Sequence, residues 1–263
     1  LFLIVGCLAP VIAPHDPLEV NVSIRLQGPS QEYWLGTDHL GRCILSRLIY
    51  GAQTTLLNSL VVLAGILLIG IPLGLISGFC GGWIDNLIMR FADIVSTFPS
   101  SLLALAVVSV FGAGLQNVMI VLVALWWAPF ARILRSQVLK IKEKDFVMAA
   151  KASGTSKFKI VINHVLLNSI SPIIVYSTLR VAAVIMHIAS FSFIGLGTQP
   201  PAADWGVMLS DSKQFISTAP LMMIWPGLSI MLVVFSLNMF GEGLNEALMP
   251  GGNKKAKQLG DGE

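Results

Sequence analysis

Apolar residues in this chain collect into long runs, with polar residues confined to the gaps between them. A bilayer-crossing helix needs about 20 predominantly apolar residues, and residues 54–79, 115–133, 170–196 and 222–241 each offer such a run. Residues 100–111 continue a further apolar stretch that closes at Gly112 and Gly114. Residues 1–14 (LFLIVGCLAPVIAP) fall short of a full span and lack a charged n-region. They read as a span missing its beginning, not as a signal peptide. The pattern predicts an all-α integral membrane protein with six transmembrane helices.

Inside the spans a few residues break the apolar rule. Gly65, Gly70, Gly74 and Gly78 recur at helical spacing along the second span, and small residues at such intervals let helices approach closely in lipid. Trp126 and Trp127 sit in the inner half of the fourth span, and Pro129 is expected to kink it. Arg90 and Asp93, three apart, are expected to pair on one helix. The fifth span carries Arg180 and His187, seven apart, on a stripe with Val184 and Phe191. Ionisable groups within a span face a bundle interior or a water-filled path, so Arg180 and His187 are the candidate substrate-path residues. The other reading of His187 is a hydrogen bond to a neighbouring helix.

The polar gaps orient the chain. Between Arg132 and Lys159 lie Arg132, Arg135, Lys140, Lys142, Lys144, Lys151, Lys157 and Lys159, against Glu143 and Asp145 alone. An excess of Lys and Arg beside spans marks the cytoplasmic face. With this loop inside, six spans put both termini in the cytoplasm, the tail bringing Lys254, Lys255 and Lys257. Arg42 and Arg47 then fall on the outer side, against that tendency. The loop has internal organisation. Residues 145–153 read as a short helix stopped by Gly154 at a C′ position. Thr155 or Ser156 caps a second helix over 156–167, with Phe158, Val161, Ile162 and Val165 on one face. Ala149, Ala150 and Ala152 keep the first helix thin. Two readings stay open here, a plug for another protein's groove and a basic loop resting on anionic headgroups.

Composition narrows the class. Of 263 residues 55% are hydrophobic and 12% charged, and the mean hydropathy is +0.78. Soluble domains carry about 25% charged residues, so the chain belongs in a membrane. A net charge of +3 concentrated in one loop gives no support for nucleic-acid binding. Cys7, Cys43 and Cys80 form neither a disulfide framework nor a zinc pattern. The chain has no Gly-x-x-x-x-Gly-Lys-Ser/Thr run and no His-Glu-x-x-His helix, so energy for any pumping must come from elsewhere. Met186, Met208, Met222, Met223 and Met231 cluster in the last third. Thioethers suit soft metal ions, and they are also ordinary gap-fillers.

Two stretches carry a resemblance. Residues 147–168 are similar to the EAA motif of ABC importer permeases, the matching positions being Ala149, Ala150, Gly154, His164, Leu166 and Asn168. Met148 stands where the family has Glu, and Leu167 where it has Pro. Residues 33–51, with Trp34, Gly36, Asp38, Gly41, Arg42 and Arg47, resemble the Leu-Gly-Thr-Asp signature of the C-type subunits of dipeptide, oligopeptide and nickel permeases; Cys43 replaces the usual Asp. Residues 186–209 resemble a further signature of that family, with His187 where peptide permeases commonly have Glu.

The resemblance implies a type I ABC importer permease architecture with a cytoplasmic coupling-helix loop. It implies division into a partial first span and outer loop (1–51), a transmembrane domain (52–249, coupling loop about 140–168) and a cytoplasmic tail (250–263). Asp145, Ala149, Ala150, Gly154, Phe158, Ile160 and His164 are then the ATPase-coupling residues. The implied partners are a second, related permease in a heterodimer, two cytoplasmic ATPases that bind ATP and Mg, an extracytoplasmic substrate-binding protein, and lipid. This chain is implied to be a non-catalytic subunit that binds no cofactor itself, in the plasma membrane of a bacterium. The expected substrate is nickel or another transition metal, as a chelate, with His187 as the metal ligand and Arg180 meeting a carboxylate; a di- or oligopeptide is the alternative. A gradient-driven secondary transporter would show inverted repeats, and none is visible.

Overall fold

The computed structural model describes residues 2–248. The chain runs through α1 (Phe2–Cys7), α2 (Ala9–Ile12), a 3-10 turn (Val22–Ile24), α3 (Ile44–Cys80), α4 (Gly82–Thr97), α5 (Ser100–Phe111) and α6 (Leu115–Ile141). There follow α7 (Asp145–Ala152), α8 (Lys157–Lys159), a π-helical stretch (Ile160–Leu166), α9 (Leu167–Ser169), α10 (Ser171–Phe193), α11 (Trp205–Ser212), a 3-10 turn (Lys213–Phe215) and α12 (Leu221–Leu248). Among the described residues the only strand-like feature is an isolated bridge between Thr37 and Cys43.

Four helices, α3, α6, α10 and α12, are each long and apolar enough to cross a membrane, and α4 with α5, a pair bent by 79°, is a broken span or a re-entrant loop, which gives four or five candidate spans. The expected count of six is therefore met only in part. Among residues 2–14 there are two short helices, α1 and α2, and residues 100–111 are the second limb of the bent pair. Two boundaries also move. Helix α3 begins at Ile44, not at residue 54, and α6 continues to Ile141, so Arg132, Arg135 and Lys140 are helical. Hydropathy ends a span at its first charge, but a paired charge lets the helix run on. The lysine-bearing tail, 250–263 with Lys254, Lys255 and Lys257, lies outside the described residues.

The chain forms two compact units. The first comprises residues up to Leu63, Ser100–Leu122 and Val181–Ser236. Its organising feature is a buried ionic cluster. Arg42 Nε meets Asp38 at 2.6 Å and its Nη2 meets Asp211 at 3.2 Å, while Arg47 Nε lies 3.6 Å from Asp38. The Arg47 side chain is 1% exposed and also donates to the carbonyl of Pro17 at 3.3 Å. Two cations against two carboxylates explain how both arginines sit outside the basic face. They are neutralised locally, so they no longer weigh on orientation. Nearby, Trp205 donates Nε1–H to Leu48 O at 3.0 Å and covers Gly51. Asp204 caps α11 by accepting from the amides of Gly206 and Val207, and its near-complete burial pushes its carboxyl pKa up.

The second unit comprises Ala64–Pro99, Val123–Arg180 and residues from Leu237. The glycines of α3 act here as expected. A Cβ at Gly74 would stand 2.7 Å from Ala131 O, and one at Gly78 would stand 2.7 Å from Val138 Cβ. The α3 backbone is thus seated directly on α6. Asp93 meets Arg132 at 2.9 Å instead of Arg90, correcting the expected intrahelical pair. Arg135 grips Asp85 with Nε and Nη2, each at 2.5 Å, and Ser77 donates to the same carboxylate. A charge on α6 thereby satisfies a charge on α4, which spacing along one helix cannot reveal. Trp127, Ala128 and Ala131 of α6 bury Ala92 of α4.

Candidate functional site

The turn between α7 and α8 is closed by hydrogen bonds the sequence anticipates. Gly154 has φ +76°. Its amide donates to Lys151 O at 3.1 Å, and the Thr155 amide donates to Ala150 O at 3.1 Å. This pair of bonds is the Schellman C-cap, in which the C′ residue takes a left-handed conformation that glycine adopts without steric cost. Ser156, not Thr155, caps the next helix, its Oγ accepting from the Lys159 amide. Asp145 opens α7 at the end where a negative charge meets the helix dipole favourably.

The buried face differs from the expected one. Val147, Ile160 and Val165 are fully buried, whereas Phe158 is 75% exposed. Residues 160–166 wind as a π-helix, whose wider turn brings residues five apart, Ile160 and Val165, onto one side. Of the face selected by a 3.6-residue period, Val165 is buried, Val161 and Ile162 are half-buried and Phe158 alone is exposed, while Ile160 joins the interior instead. Asn168 donates Nδ2–H to His164 O at 2.6 Å, and the His164 ring lies 6.5 Å from that of Phe146. Of the expected coupling residues, Asp145, Ala149, Gly154 and Phe158 are exposed, Ala150 and His164 are half-buried, and Ile160 belongs to the interior. Phe146 and Met148 complete the exposed apolar set. The large apolar side chains Phe146, Met148 and Phe158 are thus all bared within a lysine-rich loop. Phe146 and Met148 were not singled out by spacing, because no periodic pattern survives the helix break at Gly154.

Arg180 and His187 occupy separate surroundings on α10. Tyr176 accepts from Arg180 Nη2, and the guanidinium lies 4.7 Å from the Tyr176 ring and 5.5 Å from that of Trp126. A guanidinium in this position interacts favourably with both aromatic faces. His187 Nδ1 lies 2.9 Å from Ala183 O on its own helix. A carbonyl only accepts, so Nδ1 carries the proton in that contact. Val184 and Phe191, expected on the same stripe, are buried. The methionines do not form one group: Met186 and Met223 line an apolar cavity of about 310 Å³, Met208 and Met222 are buried, and Met231 is exposed. Among the described residues no group of three or more His, Cys, Asp and Glu side chains is arranged to hold a metal ion.

Comparison with known proteins gives a consistent picture. Residues 70–251 match the family described as the binding-protein-dependent transport system inner membrane component. The chain is 46% identical to a dipeptide transport system permease protein of Alkalihalophilus pseudofirmus, over 95% of this chain and 82% of that one. It is 38% identical to the nickel transport system permease protein of Escherichia coli K12, over 95% and 93%. It is 39% identical to a glutathione transport system permease protein of Pectobacterium atrosepticum, over 95% and 83%. Among solved structures, inward-facing conformations of the MetNI methionine ABC transporter match with a TM-score of 0.61 at 17% identity, over 78% of this chain and 98% of that one. That likeness shows the fold.

Proposed function

This chain belongs to the binding-protein-dependent transport system inner membrane components, the permeases of ABC importers, and from that we propose that it forms half of the path for a di- or oligopeptide. The nickel reading drawn from His187 yields first place. The dipeptide permease is nearer at 46% identity than the nickel permease at 38%, and the described residues supply no metal-binding cluster. Arg180, held on two aromatic rings, suits the carboxylate of a peptide.

The observation that carries the coupling role is the Schellman turn at Gly154, which presents Met148 and Phe158 on either side. Two cytoplasmic ATPases, binding ATP and Mg, grip this loop; the coupling loop spans about 140–168 within a transmembrane domain of 52–249. A second, related permease completes the path and an extracytoplasmic binding protein delivers substrate. Both termini lie in the cytoplasm. Uptake of radiolabelled dipeptide, glutathione and nickel by cells with and without the chain tests the substrate. Loss of dipeptide uptake with nickel unaffected supports the proposal, and Arg180→Gln should weaken dipeptide uptake at unchanged membrane abundance. Loss of nickel uptake alone would restore the metal reading.

A further inference from the structure

We propose that the cavity beside the α7–α8 turn binds the phosphate group of an anionic phospholipid from the cytoplasmic leaflet. The cavity has a volume of about 600 Å³, and its lining includes Lys142, Lys151, Lys157 and Thr155 together with Phe79 and Ile160. Three lysines line one space. Lys142 Nζ donates to the carbonyl of Gly78 at 2.9 Å, a neutral partner. Among the described residues no carboxylate forms an ion pair with any of the three. The acidic group that bears on Lys142, Asp85, is committed to Arg135 and Ser77. Three like charges around one space repel one another, and an anion bearing several acceptor oxygens relieves that repulsion while meeting the Thr155 hydroxyl.

The apolar walls select an amphiphile over a bare anion. Phe79, half-buried in the last turn of α3, gives an acyl chain an apolar surface to follow beneath the headgroup. The depth is right as well. Trp83, 73% exposed just past the α3 end, is the kind of residue that sits at the headgroup level of a bilayer. Met148 and Phe158 are not part of the lining, so a bound lipid leaves the exposed coupling surface for a protein partner. The lipid would brace the loop against the end of α3.

The inference rests on the functional reading only for the cytoplasmic side of the loop. A measurement in detergent has no sidedness, so its failure is distinct from failure of that reading. Native mass spectrometry of the purified transporter complex, titrated with dioleoyl phosphatidylglycerol or dioleoyl phosphatidylcholine, counts retained lipid. Phosphatidylglycerol should be retained in preference. Lys151→Gln with Lys157→Gln should lower its affinity roughly 30-fold, at about five-fold per lysine near an anionic surface. A charge-matched control, Lys140→Gln with Lys159→Gln, removes two exposed lysines outside the cavity lining and should lower it less than about three-fold. Equal losses in the two doubles, or no loss in the first, would overturn the site. Displacement of the lipid by inorganic phosphate would assign the cavity to a small anion and overturn the lipid. Phosphatidylglycerol held by the permease pair but expelled when the ATPases bind would give the cavity to an acidic ATPase side chain, overturning it equally.

Discussion

Substitution of Gly154 isolates backbone conformation from packing. Gly154 has φ +76° and a Cβ there would meet nothing within 4 Å, so any cost comes from the left-handed conformation alone. For an L-residue that cost is about 1–2 kcal/mol, smaller for Asn and larger for a β-branched side chain. The Schellman bonds from Gly154 and Thr155 to Lys151 and Ala150 exist only in that conformation. If a partner ATPase recognises the closed turn, its apparent affinity falls with the fraction of loops that are closed. Gly154→Ala should weaken ATPase binding by up to roughly 5–30-fold, the equivalent of 1–2 kcal/mol. Gly154→Asn should lie between Ala and the parent, and Gly154→Val should lose more than Ala. The assay is titration of the purified ATPase onto detergent-solubilised permease, with far-ultraviolet circular dichroism to show that the spans remain helical. Equal affinity across Gly, Asn, Ala and Val would refute the reasoning, because strain would then play no part in presenting the loop.

Three further outcomes follow from the same geometry. In a background with the exposed Cys7 and Cys80 replaced by Ser, a membrane-impermeant thiol label on intact cells should modify a Cys introduced at Ser217 but not one at Ser156; the reverse pattern would invert the topology. Gly74→Val should lower the thermal midpoint of the detergent-solubilised protein, because its Cβ would stand 2.7 Å from Ala131 O and overpacking costs about 1–3 kcal/mol; an unchanged midpoint would mean that α3 and α6 are not seated so closely. Asp204 has a raised carboxyl pKa from burial, so its contribution favours the folded state most below the unfolded value of about 4 and declines as pH rises through the folded pKa. Asp204→Asn keeps a capping oxygen and should gain thermal stability over the parent as pH rises, the difference closing towards acid; a gap that widens towards acid would contradict the sign.

Features set by local chemistry were legible in the sequence. The Gly154 stop, the Ser156 cap and the glycine seam of α3 depend on a few neighbouring residues or on one helical period, and the structure carries all three. Features set by a partner distant in sequence were not. Arg132 and Arg135 read as the start of a loop because their partners Asp93 and Asp85 lie about forty to fifty residues earlier. Arg42 and Arg47 read as exceptions to the charge rule until Asp211, far along the chain, is brought beside Arg42. On the helix expected over 156–167, Phe158 is placed on the buried face and Ile160 is kept off it because a π-helix changes the period on which such an assignment rests. The substrate was the least legible feature, since Arg180 and His187 are two polar groups on one helix and either a peptide or a chelate satisfies them chemically.

The central claim is that this chain is a permease whose transport is driven by ATP hydrolysis in partner subunits. The most direct measurement is dipeptide uptake by cells expressing the chain, with orthovanadate to stop the ATPases and, separately, a protonophore under conditions that maintain cellular ATP. Uptake that is abolished by orthovanadate and persists with the protonophore is the predicted result. Uptake that persists with orthovanadate and collapses when the proton gradient is discharged would contradict the account.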